Sequence, residues 1–181
     1  MRRFSRSQVI AMSSVLAAVY PVVTVFASFT PISQYELVQL RFADCLEILT
    51  FFVGWAGVIG LSLGCLVANV FSPYGLLDMV IGTFSTFVST LVVMYMGLHS
   101  NVRNFKRNLL LAMVVSSIII GVIVGCLLWF YGFPFWFAAA SVSAGQLVVK
   151  IIVGYPVGLA LPKFAPGVFH IEGLKVETGK G

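Results

Sequence analysis

Charged positions are sparse along this chain, and the gaps between them are long. Ser7–Tyr35, Ile48–Leu77, Met79–Val102 and Asn108–Val149 contain no charged residue. A membrane-spanning helix needs about 20 apolar residues, so the last run has room for two, with Gly132 and Pro134 marking the turn inside it. The basic residues gather in three clusters: Arg2, Arg3 and Arg6; Arg103, Lys106 and Arg107; Lys163, Lys175 and Lys180. Cytoplasmic loops collect Lys and Arg, so all three clusters are assigned to the inside. Parity then requires an even number of crossings between Arg6 and Arg103. Two would be too long each, and four fit.

The pattern therefore predicts an all-α, polytopic membrane protein, a bundle of six transmembrane helices with both termini cytoplasmic. The expected spans are about 8–29, 43–54, 56–71, 76–97, 108–131 and 135–160, within a membrane domain of residues 1–163. Residues 164–181 read as a flexible cytoplasmic tail. The second and third spans are short, and Gly54, Gly57 and Gly60 favour a break between them. Val25-Phe26-Ala27 has the look of a signal-peptidase site, but the preceding run holds Pro21 and has the length of a full span, so it is read as retained.

Composition narrows the class. The chain has 181 residues, 60% hydrophobic and 9% charged, where soluble domains carry about 25% charged residues. Mean hydropathy is +1.04. These values exclude a soluble enzyme, a disordered chain and a disulfide-knotted secreted domain. Net charge is +5, but no basic stripe interleaves with aromatics, so nucleic-acid binding is not expected. Cys45, Cys65 and Cys126 lie in apolar segments without metal or disulfide spacing and read as small buried hydrophobes.

Several chemistries are missing. His99 and His170 both fall in cytoplasmic segments, so no span supplies a buried Ser-His or Cys-His nucleophile. No metal or cofactor is expected, and the chain does not read as an enzyme. The tail Gly173–Gly181 approaches a phosphate-binding loop, but its spacing is off by one and it lacks the closing Ser or Thr. Active transport by this chain would draw its energy from an ion gradient or from a partner.

Polar residues at membrane depth are expensive and usually functional. Arg41, Asp44 and Glu47 recur every third residue and share one side of a helix. With Gln39 they sit at the outer end of the second span. A water-filled cavity opening outward would accommodate them; an Arg41–Asp44 surface pair is the plainer alternative. Asn69 and Asp78 bracket the short outer connection around Ser72 and Pro73, and serve either as helix caps or as ligand contacts. Gln146 lies near the midplane of the last span, suited to a ligand or to an interhelical hydrogen bond. Lys150, one turn on, is expected to snorkel to the inner face. Trp136 belongs to an aromatic cluster at the outer turn, an interfacial belt or a stacking platform for a flat ligand. Small residues recur at Ser13/Ala17, Ser14/Ala18, Gly60/Gly64, Gly121/Gly125 and Gly154/Gly158. Most should be internal packing, with the first span free to present its small face to another protein.

One stretch is specific. Residues 39–46, QLRFADCL, resemble the Q-x-R-x-[SA]-[ED]-x-L stretch of the queuosine-precursor transporter (QueT) family. The resemblance continues through 64–69 (GCLVAN), 75–78 (GLLD), Gly82 with Thr83 and Thr86, Gly145 with Gln146, and 154–156 (GYP). It covers nearly the whole chain before the tail. That family is similar to the substrate-binding S components of energy-coupling factor (ECF) transporters. The resemblance implies a six-helix bundle with a ligand cavity near the outer face of the cell membrane. It implies a transmembrane T component and two cytoplasmic ABC ATPases as partners, and a 7-deazaguanine precursor of queuosine as solute. Gln39, Arg41, Asp44, Asn69, Asp78, Gln146 and Trp136 become the substrate-binding candidates; Ser13, Ser14, Ala17 and Ala18 occupy positions that would face the T component. The chain departs from the family in carrying Asp at 44, Gln at 146 and an additional acid at Glu47. The rival readings are a stand-alone ion-coupled carrier and a membrane enzyme.

Overall fold

The computed structural model describes residues 5–28, 42–70 and 75–164. Gln39, Arg41, Ser72, Pro73, His170 and the phosphate-loop-like tail lie outside the described residues. Within them the chain is helical throughout. α1 spans Arg6–Ser28, and a 3-10 turn over Phe42–Leu46 leads into the short α2, Glu47–Val53. Gly54, at φ 62°, reverses the chain into α3, Trp55–Asn69. α4 is Gly75–Leu98 and α5 is Phe105–Phe130. α6, Phe135–Val149, passes through a π-turn at Lys150–Gly154 into α7, Tyr155–Phe164.

Four stretches are long and apolar enough to cross a membrane: Arg6–Ala27, Gly75–Leu98, Phe105–Phe130 and Phe135–Lys163. α2 and α3 are shorter. They pack as a hairpin, with Gly57 pressed onto Thr50; α2 is buried nearly throughout, while α3 keeps Trp55, Ile59, Leu63 and Val67 on an exposed face.

The burial pattern differs from that of a soluble protein, with apolar residues outside as well as inside. Ile10, Val15, Phe26, Leu76, Phe84, Ile118 and Ile152 are exposed, while Ser85, Thr86, Ser89 and Thr90 are buried. Lipid is as apolar as leucine, so no hydrophobic force drives these helices together; close packing and hydrogen bonds do. The α4 hydroxyls return hydrogen bonds to carbonyls of their own helix, Ser85 to Gly82, Thr86 to Gly82 and Thr90 to Thr86. A polar stripe can thus be buried without orphaned donors.

Contacts between named residues set the helix directions. Ser13 of α1 meets Ala56 and Gly60 of α3, and Tyr20 meets Gly64, so these two run parallel. Cys65 meets Thr86, and Asn69 meets Asp78 and Gly82, so α3 and α4 are antiparallel. Glu47 meets Ser89 and Phe51 meets Gly97, so α2 follows α4. Gly121 meets Ser143 and Gly125 meets Ala139, so α5 opposes α6. Asp44 meets Gln146 and Ile48 meets Gly158, so α2 runs with α6 and α7. Direction therefore alternates from each of α1 to α6 to the next.

Two apolar cores result. Leu16, Phe51, Phe52, Leu61, Phe105, Leu109 and Met113 belong to the larger, and Ile120, Val124, Leu128, Ala138 and Val142 form the smaller between α5 and α6. The small-residue face of α1 is spent on the first. Ser13 is buried and donates to the Ala56 carbonyl at 3.1 Å, and Ala17 lies against Gly64. These two are internal packing residues, contrary to the expectation that they face another protein. Ser14 and Ala18 stay exposed. Cys65 is buried as expected, but Cys126 is exposed.

Candidate functional site

The 3-10 turn and the first turn of α2 place Asp44 and Glu47 one turn apart on a buried side. α6 does the same with Gln146 and Lys150. Because the two segments run parallel, their polar residues meet in two rungs. In the first, Gln146 Nε2 donates to Asp44 Oδ2, and the Tyr20 hydroxyl of α1 donates to Asp44 Oδ1. In the second, Lys150 Nζ sits 2.7 Å from Glu47 Oε2 and 2.9 Å from Ser116 Oγ of α5. Ser89 of α4 donates to Glu47 Oε1 at 2.7 Å. Side chains from α1, α2, α4, α5 and α6 thus converge on one polar layer.

The rungs differ in charge. Glu47 and Lys150 neutralise each other. Asp44 is 1% exposed, receives two hydrogen bonds from neutral groups, and meets no cation among the described residues. A carboxylate has about four lone-pair sites, so it retains acceptor capacity. Gln146 is fully buried, and with its Nε2 committed to Asp44 its Oε1 has no partner. One acceptor without a partner, Gln146 Oε1, therefore stands beside a carboxylate with spare lone pairs, in a layer where an unpaired acceptor is costly.

A second polar cluster joins α3 to α4. Asn69 Nδ2 donates to the Asp78 carbonyl at 3.3 Å and to Cys65 Sγ at 3.4 Å, and Thr86 Oγ1 lies 3.2 Å from the same sulfur. Gly82 makes room for this: a Cβ there would collide with Asn69 Nδ2. Asp78 is buried in the first turn of α4.

A void of about 10 Å³ lies beside the second rung, lined by Cys45, Glu47, Ser116 and Lys150 among others. It is the size of one water. A larger hollow of about 270 Å³ opens between α1 and α2 against Ala11, Met12, Val15, Leu16, Leu49 and Val53. Its lining is apolar and includes none of the polar candidates.

A family model described as the QueT transporter matches residues 10–163. The chain belongs to the QueT transporter family. No curated protein and no solved structure matches it. Membership, with the apolar helices, makes it a multi-pass cell-membrane protein whose work is transport of a small solute across the bilayer.

Within this QueT protein the sequence-derived candidates separate. Asp44 and Gln146 are in direct contact, and Asn69 reaches the backbone of Asp78. Trp136 is apart from both clusters: it is 83% exposed in the first turn of α6, its ring edge-on to Phe135. Lys150 does not snorkel. It is 2% exposed, because Glu47 supplies its counter-ion and Ser116 an acceptor within the bundle. Tyr20 and Ser89 were not among the expected site residues. Tyr20 carries a usable signal, since it follows Ser13 and Ala17 on the face of α1 that packs against glycines.

Proposed function

We propose that this chain is the membrane-embedded solute-binding subunit of an ECF-type importer, crossing the membrane six times with both ends cytoplasmic. The alternating helix directions support six crossings, and the basic clusters support the sidedness. A T component and two ABC ATPases supply the energy. The solute is small, planar and rich in hydrogen-bond donors, a 7-deazaguanine precursor of queuosine. The observation that carries this reading is the pairing of two under-used acceptors, the Asp44 carboxylate and Gln146 Oε1. A guanine-type edge offers a ring N–H and an exocyclic amine side by side. Such an edge binds a carboxylate through two charge-assisted hydrogen bonds, and a neighbouring amide oxygen takes a third donor. Asn69 reads a mixed donor and acceptor edge, with Gln39, Arg41 and Asp78 completing the outer end of the site.

The test is calorimetric titration of the purified chain in nanodiscs with an aminomethyl-bearing 7-deazaguanine and with its nitrile form. Binding should be lost in Asp44→Ala and weakened in Asn69→Ala. Unchanged affinity in both variants removes the site assignment. Uptake by the chain alone, in vesicles with an ion gradient and no ATP, would replace the importer with a stand-alone carrier.

A further inference from the structure

Among the described residues the polar layer holds two acids and one cation, and the cation has a choice. Gln146 and Lys150 are four residues apart, so their Cβ atoms lie about 5–6 Å from each other on one helix face. Gln146 touches Asp44, and Lys150 carries its ammonium on a flexible four-carbon stem. Attraction alone does not decide between Asp44 and Glu47. The surrounding hydroxyls do. Ser89 holds Glu47 Oε1, which leaves Oε2 for the ammonium, and Ser116 accepts from Lys150 Nζ while donating to the Met113 carbonyl at 3.2 Å. Asp44 is held by Tyr20 and Gln146 instead.

We infer that Glu47 is a positioning residue that sequesters Lys150, keeping that ammonium off the Asp44 carboxylate so that the solute completes it. The functional consequence rests on the solute-binding reading above; the choice of partner by Lys150 does not. With Lys150 turned to Asp44, that carboxylate would be a finished ion pair and would have little left to offer a donor edge. The extra acid at Glu47 thereby sets the selectivity of a neighbour one turn away without touching the solute.

A solute-free experiment separates the two claims. Melting temperatures of the full chain in nanodiscs are compared for Asp44→Asn in the wild-type and Glu47→Gln backgrounds. In the wild type, Asp44→Asn removes a buried charge that no cation among the described residues meets and gives Gln146 Oε1 an amide donor, so melting should rise. In Glu47→Gln, Lys150 has moved to Asp44, so the same change strips it of its partner and melting should fall. An Asp44→Asn effect that is equal in both backgrounds, or more favourable in Glu47→Gln, overturns the inference. If Glu47→Gln alone does not fold, the neutral pair Glu47→Gln/Lys150→Gln is the background: Asp44→Asn should raise melting there as in the wild type, and a fall overturns the inference. Affinity gives the second readout. Glu47→Gln should weaken binding of the aminomethyl base by about tenfold or more, and adding Lys150→Gln should restore it, which a merely structural pair would not do. Failure of the wild type to bind that base removes the solute reading and leaves the melting comparison decisive for Lys150.

Discussion

The segment Phe42–Val53 is two regions in one. Its first half carries Asp44 and Glu47, and its second half carries Phe51 and Phe52. Both halves are buried against α4 and α5, but they are held in different ways. Phe51, Phe52 and Phe105 form a triangle of tilted rings with centroids 5.4 to 6.1 Å apart. Gly97 lets α4 close onto the Phe51 carbonyl. Any apolar shape that fills this end would serve it. The polar half is specified atom by atom: each carboxylate oxygen has its own donor, and the donors come from three different helices. The aromatic end is a fixed floor, and the polar layer is where a change of partner alters what the protein can hold.

The largest effect that separates the two regions is how each tolerates loss. Phe105→Ala removes a ring from the triangle, at a cost of up to about 3–5 kcal/mol, and no second truncation restores it. Glu47→Leu takes the buried ammonium's partner away and drives it onto Asp44, at the expense of the Tyr20 and Gln146 hydrogen bonds there, and costs up to about 3–5 kcal/mol. Adding Lys150→Met should recover most of that loss, because a hydrophobic pair of similar volume replaces a buried ion pair at little or no penalty. Thermal unfolding of the four variants in one detergent measures this. A double variant no more stable than Glu47→Leu would show that the polar half is packed like the aromatic half.

A smaller effect tests the Asn69 corner. Gly82→Ala places a methyl where Asn69 Nδ2 now lies, and overpacking of this kind costs about 1–3 kcal/mol. The amide must leave Cys65 and the Asp78 carbonyl. Solute affinity should fall by more than the same substitution at Gly125 produces, where the added methyl meets Ala139 first and is remote from Asn69. Equal losses at both positions would reduce Asn69 to a packing residue.

The helical, membrane-embedded character of the chain was legible in its charge-free runs, because a bilayer punishes charge wherever it falls. Asp44 and Glu47 were legible as neighbours on one side, since spacing of three survives the change from 3-10 turn to α-helix. Their partners were not. Lys150 lies 103 residues from Glu47, and no periodicity links positions on different helices. A lysine near the end of an apolar run carries the same sequence signal whether it snorkels or pairs. Tyr20 was hidden for a related reason: aromatic residues in a first span read as belt or core, and only the apposition of α1 to Gly64 turns its hydroxyl toward Asp44. Trp136 shows the converse. Its place beside a turn and an aromatic cluster left belt and stacking platform both open, and side-chain direction at the first turn of α6, set by helix phase, sends it outward.

The smallest effect concerns α1, where one helix serves two faces. Ser13 and Ala17 are committed to α3, while Ser14 and Ala18, each one residue further round, remain exposed beside Val15 and Val22. Ser14→Leu and Ala18→Leu touch nothing inside the bundle, so stability should stay within about 0.5 kcal/mol of the wild type, and solute affinity should not change. If a T component docks on this face through close helix approach, the two leucines should block ATP-dependent uptake by the reconstituted importer while leaving solute binding by the isolated chain intact. Uptake at the wild-type rate would move the docking face elsewhere. Impaired binding by the isolated chain would mean that α1 shifts against α3, and that Tyr20 carries the disturbance to Asp44.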